Sequence, residues 1–239
     1  MYKYVERLPE PRGTNTGALH FGSYIHKILE EGYKATTVKE LSDLAEEYKG
    51  NYKFNDDYIP KIDKCLKNFL RFNASLKDTL AVELVYEVVL DKRNDIKQNG
   101  VIDRVIKGDD GGLLVIDYKT SKREKSKIEL YEDTQMKGYV FAVHKKYGVP
   151  LNNITAAHYY PITNNFVSVQ YSSPQINSYK GKIMEEVWRI RKAKKIELHP
   201  SKNEFCNWCA YKELCPEFAD SRLIEQKIQK IKEEKKLTS

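Results

Sequence analysis

"VIDRVIKGDDGGLLVIDYKTSK", residues 101–122, is the stretch whose reading decides the fold. Two runs rich in β-branched residues flank Gly108-Asp109-Asp110-Gly111-Gly112, a turn composition that tolerates left-handed backbone, so the stretch reads as a β-hairpin. Along a strand, residues two apart face the same side. Val115, Asp117 and Lys119 therefore share one face, while Leu114, Ile116 and Tyr118 line the other. Asp103 lies on the first strand of the hairpin, so the two aspartates approach each other at one edge of the sheet. Charges on so apolar a strand are costly unless they are paired or bound to an ion. Two close carboxylates repel, and one pKa rises unless a cation lies between them. Oxygen donors favour Mg²⁺ or Mn²⁺, and a neighbouring lysine can neutralise phosphate charge or position a water. The plain structural alternative is a cross-strand salt bridge, because D-x-K alone is a weak motif.

Upstream, "FGSYIHKILEEGYK" carries a helical apolar stripe at Phe21, Tyr24, Ile25, Ile28 and Leu29, with Gly32 near its end. "VKELSDLAEEYKG" and "DYIPKIDKCLKNFLRFNASL" are also amphipathic helices, and Pro60 is early enough in the latter to open it. "AVELVYEVVL" changes to a strand pattern. After the hairpin, "DTQMKGYVFAVHKKYG" returns to helix, and "NITAAHYYPITNNFVSVQYS" gives two strands around Thr163–Asn165. A long helix over roughly Pro174 to Lys195 precedes a cysteine-bearing loop and a charged helical tail. The pattern predicts one α/β domain over 1–239, with a mixed central β-sheet flanked by helices. Its parts are a helical segment (1–80), a catalytic sheet with the following helix (81–172), and a C-terminal helix, cysteine loop and tail (173–239).

Composition narrows the function classes. The 239 residues hold 41 basic and 34 acidic side chains, a net charge of +7, which suits a polyanionic partner such as DNA. A solvated basic face would have the same composition. No apolar run approaches the ~20 residues needed to cross a bilayer. "MYKYVERLPEPRG" has no apolar signal segment, so the expected location is the cytoplasm of a bacterial, archaeal or phage-infected cell.

"GSYIH", Glu83, "GVIDR", "DYKT" and "QMKGY" occur in one order, and this ordered set resembles the RecB-like branch of the PD-(D/E)XK nuclease superfamily. The resemblance covers most of the chain and implies a PD-(D/E)XK, restriction-endonuclease-like core. It also implies roles. Asp103 and Asp117 would bind the metal, with the Tyr118 backbone carbonyl and His26 as further ligands. Glu83 would be the acid of the first strand, ahead of Glu87. Lys119 would activate or orient water and stabilise the phosphorane charge, and Gln135 and Tyr139, four apart on one helix face, would position the lysine or the DNA backbone. Lys122, Arg123, Lys125 and Lys127 would hold phosphates without reading bases. Taken singly, His26, Glu83, Gln135 and Tyr139 are ordinary helix and strand residues.

Cys206, Cys209 and Cys215 form C-x₂-C-x₅-C, followed by Pro216. The same family includes members with an iron–sulfur cluster whose last three ligands have this spacing, so the resemblance implies a 4Fe-4S site. Its first ligand normally precedes the histidine helix, where this sequence has no cysteine; Cys65 reads as a core residue. Zinc, or a loop without metal, remains an alternative. The resulting expectation is an Mg/Mn-dependent DNA nuclease, an exonuclease in recombination, repair or phage DNA processing, with a recombination or replication protein as a possible partner. The alternatives are a non-catalytic nucleic-acid-binding module with a zinc-ribbon-like loop, and an endonuclease on the same fold.

Overall fold

The computed structural model describes Leu8, residues 17–192 and residues 200–237. Gly17–Trp188 form one compact unit; the described residues from Arg189 onward, with Leu8, belong to a second. In the first unit the hairpin becomes strands β2 (Ile96–Lys107) and β3 (Leu113–Tyr118). With β1 (Thr79–Asp91), β4 (Ile154–Tyr160) and β5 (Asn165–Gln170) they make a five-stranded sheet of order β1-β2-β3-β4-β5. Only β3 and β4 are parallel; the other neighbours are antiparallel. Parallel strands need a crossover, supplied here by α4 (Lys127–Tyr131) and α5 (Thr134–Tyr147).

One sheet face is covered by α1 (Gly17–Glu31), α2 (Val38–Lys49) and α3 (Ile59–Ala74). The five residues of the α1 stripe are all buried, in a core that includes Cys65, Phe69, Ile106, Ile116, Tyr118 and Tyr159. A capping box between Thr37 and Glu40 starts α2, and Pro60 lies in the first turn of α3. Gly32 permits the close return of the chain, because a Cβ there would fall 2.3 Å from the Leu41 side chain. The other face is covered by α5, which buries Met136 and Tyr139–Val143 against Val105, Val115, Ala156 and Val169. Asp133 caps α5, accepting from the Met136 N–H at 2.9 Å, and Gly148 ends it with φ 71°.

The β1–β2 pair contains a change of phase. Ala81 and Val105 pack into the α5-side core, but so do Leu84 and Ile102, three residues away on each strand. An odd separation cannot keep one face of an uninterrupted strand. The pairing register is unchanged, with Val82 opposite Arg104 and Leu84 opposite Ile102. The switch falls on Glu83, whose φ of 47° is left-handed, and on Asp103 beside it. Both strands thus exchange faces together, and the two carboxylates sit at the crossover.

Helix α6 (Ser173–Lys192) follows β5; of the helix expected to reach Lys195, residues 193–195 lie outside the described residues. In the second unit, short 3₁₀ turns at Glu204–Trp208 and Lys212–Leu214 precede α7 (Ser221–Leu237).

Candidate active site

Gly22 and His26 lie four apart on α1, on one face of the helix. A Cβ on Gly22 would be 3.2 Å from Thr120 Oγ1, so the glycine allows α1 to lie close to the segment leaving β3. One turn on, His26 Nδ1 comes within 3.5 Å of Asp103 Oδ2. With Glu83 from the phase switch, these residues bring one potential ligand atom each to within 4.8 Å of one another. Asp103 Oδ2 also accepts from the Tyr118 N–H at 2.6 Å. Burial pushes the His26 pKa down, but the hydrogen bond and charge of Asp103, the charge of Asp117 and the Tyr118 carbonyl outweigh it, for a net rise. Burial, with the Asp103 charge second, also raises Glu83. Gly22, His26, Glu83, Asp103 and Thr120 line an open groove of about 500 Å³.

Extending the β2–β3 pairing from Arg104–Ile116 sets Asp103 opposite Asp117, at the C-terminal end of the sheet's central strand rather than at a lateral edge. Asp117 is 2% exposed, and its Oδ2 lies 2.6 Å from Lys119 Nζ. Lys119 Nζ also donates to Gln135 Oε1 at 3.1 Å, and Gln135 Nε2 donates to Tyr139 Oη at 2.7 Å. α5 therefore holds the lysine through a two-link chain. Burial first, and the charge of Asp103 second, push the Asp117 carboxyl up to about 6 against the opposing Lys119 ammonium. Two aspartates, one so strongly resisting ionisation, with a histidine and a glutamate beside them, form a donor set suited to Mg²⁺ or Mn²⁺. The residues expected from the sequence to hold a metal are thus near neighbours. Glu83, expected as a catalytic acid, stands with His26 and Asp103, whereas Asp117 is turned to Lys119.

His158 was missed by sequence reasoning. It is completely buried on β4, opposite Asp117 in the parallel register, and burial followed by the charge of Lys119 brings its pKa down to about 4. Of the basic run after β3, Arg123 pairs with Glu129 and Lys125 with Asp133, while Lys122 and Lys127 are exposed. The cysteines divide. Cys65 is fully buried in α3, its thiol pushed up to about 12 by burial. Cys209 is exposed and Cys206 and Cys215 half-buried. Among the described residues, His26, Glu83 and Asp103 are the one set of three whose potential ligand atoms lie within 4.8 Å of one another.

The sequence profile of the PD-(D/E)XK nuclease superfamily matches residues 1–216, and the chain belongs to that superfamily. Its members generally use divalent metal ions. Among curated relatives, a subunit of the ATP-dependent helicase/deoxyribonuclease of Streptococcus agalactiae is 24% identical over 161 residues, 60% of this chain and 15% of the relative. The protein of the same name from Streptococcus uberis is 24% identical over 136 residues, 50% of this chain and 12% of the relative. The match thus spans a small part of these longer proteins. A solved structure from Eubacterium rectale, provisionally named an exonuclease, superposes with a TM-score of 0.53 at 14% identity, covering 89% of this chain and 79% of that one. At that identity the likeness establishes the fold. No helix among the described residues is long and apolar enough to cross a membrane.

Proposed function

We propose that this chain is a metal-dependent deoxyribonuclease that hydrolyses phosphodiester bonds, acting as an exonuclease. The observation that carries the reading is the buried Asp117, its carboxyl held near pH 6, between Asp103 and Lys119. His26, Asp103, Asp117 and the Tyr118 carbonyl would hold the ion, with Glu83 close enough to His26 and Asp103 to assist. When bound, Mg²⁺ or Mn²⁺ supplies positive charge against the scissile phosphate and lowers the barrier to attack by water. Lys119 orients that water and offsets charge on the phosphate as it becomes five-coordinate. Gln135 keeps the Lys119 ammonium in place, and Tyr139 keeps Gln135. Lys122 and Lys127, exposed after β3, bind the DNA backbone. The relatives' name pairs a deoxyribonuclease with an ATP-dependent helicase. By analogy we assign the chain a role in recombination, repair or phage DNA processing, beside a partner that supplies DNA ends.

The test is digestion of end-labelled single- and double-stranded DNA in EDTA, Mg²⁺ or Mn²⁺. Cleavage is expected only with metal, with mononucleotides or short products released from one end. Asp103→Asn should abolish it while DNA binding persists. Full cleavage in chelator would refute the metal centre, and discrete internal cuts would replace the exonuclease with an endonuclease.

A further inference from the structure

We infer that His158 is a positioning residue for Asp117, its imidazole Nε2–H holding that carboxylate from inside the sheet; this rests on Asp117 being a metal ligand. The parallel register sets His158 beside Asp117, and the imidazole is wholly removed from solvent. The groups on its two sides favour one tautomer. Tyr160 Oη accepts from the Lys125 backbone N–H at 2.8 Å and has one hydrogen left to give. His158 Nδ1, 3.4 Å away, is within reach of that hydrogen. In the neutral ring Nδ1 is then the acceptor and Nε2 carries the proton.

Nε2 faces two carboxylates, Asp117 Oδ2 at 3.8 Å and Asp133 Oδ2 at 4.0 Å, and hydrogen-bonds to neither. Asp133 is already engaged, capping α5 through Met136 and paired to Lys125 Nζ at 2.5 Å. Asp117 Oδ2 has the Lys119 ammonium close by but no hydrogen bond of good geometry. A buried donor left without a partner is costly. A small rotation of the Asp117 side chain toward Nε2 would supply one while keeping its contact with Lys119. The donor is also of the right kind. A lysine or arginine in this place would neutralise the carboxylate, whereas a neutral imidazole orients it and leaves its charge free for a cation.

Manganese binding separates this role from packing. Free Mn²⁺ is measured by electron paramagnetic resonance during titration of the wild type and of His158→Phe, His158→Asn, His158→Gln and Asp117→Asn, with melting of each in EDTA recorded beside it. Glutamine carries an N–H at the distance of Nε2, whereas the asparagine amide reaches only as far as Nδ1. His158→Phe and His158→Asn should weaken Mn²⁺ binding about 10–100-fold, as loss of a ligand's hydrogen-bond partner commonly does, and His158→Gln should restore it to near the wild-type value. Equal affinity in the asparagine and glutamine variants, or wild-type affinity in His158→Phe, would overturn the inference while leaving the metal site intact. Should His158→Phe fail to fold, the asparagine and glutamine pair still decides. Wild type and Asp117→Asn binding Mn²⁺ equally would instead overturn the metal reading of Asp117, and the inference with it.

Discussion

Replacing Asp117 by asparagine should stabilise the metal-free protein at neutral pH while destroying its activity. The carboxyl titrates at about 6 in the folded chain against an ordinary 3.8. Between those values the folded state holds a proton that the unfolded state has released. Wild-type stability therefore falls as pH rises through this window and stays lower above it. A shift of that size corresponds to about 3 kcal/mol. The shift already counts the attraction of Lys119, so the substitution should relieve about this much in all. A gain of about 3 kcal/mol is about 6–12 °C in melting temperature for a unit of this size. Differential scanning calorimetry in EDTA at pH 7.5 should show it, and the difference should vanish near pH 3.5, where both forms are uncharged at this position. Mn²⁺ at a thousand times its dissociation constant should reverse the order, because it adds about 4.1 kcal/mol to the protein that binds it. Asp117→Asn melting at or below the wild type in EDTA at pH 7.5 would refute the reasoning, as would a difference that does not change with pH.

Lys119→Ala should lower the single-turnover cleavage rate about 10²–10³-fold, the usual cost of one group that stabilises developing charge, with Mn²⁺ affinity retained; cleavage at the wild-type rate would reduce the lysine to a salt-bridge partner. Gly138→Ala should lower the melting temperature, since its Cβ would lie 2.2 Å from Gln98 Nε2, and Gln98 is held by Tyr86 Oη at 3.2 Å and Tyr179 Oη at 2.5 Å. Overpacking of this kind costs about 1–3 kcal/mol, and an unchanged melt would show that Gln98 swings aside freely. Iodoacetamide at pH 8 should alkylate Cys209 rapidly and leave Cys65 untouched in the native protein, because only the latter thiol is buried and pushed up to about 12; mass spectrometry of the peptides distinguishes them.

The hairpin and the helices around it were legible because their apolar periods are long and uninterrupted. Asp103 and Asp117 could be paired from the turn at 108–112 alone, since a hairpin fixes its own register. His158 could not. Its relation to Asp117 depends on the register between parallel strands joined by a crossover, which local sequence does not encode. In "AAHYY" it reads as one polar residue on a buried strand. A donor search opposite each acid of the central strand would have been the signal. Helix α4 was passed over because its five residues sit in a basic run; the Ser126–Glu129 capping box was its mark. The phase change at Glu83 escaped notice for a different reason. Alternation is read on the assumption that each strand keeps one face, and a single left-handed residue breaks it without altering composition.

That left-handed glutamate has an evolutionary consequence. Glycine, and to a lesser degree asparagine, adopts such backbone readily, whereas other residues bear about 1–2 kcal/mol for it. Glutamate at position 83 is therefore a conformationally poor choice, which accords with the proposed use of its carboxylate. In any descendant lineage released from cutting DNA, selection for the carboxylate disappears while the backbone preference persists. Position 83 should then drift toward glycine or asparagine early, before the surrounding core changes, and its identity becomes a marker of whether a relative still cleaves.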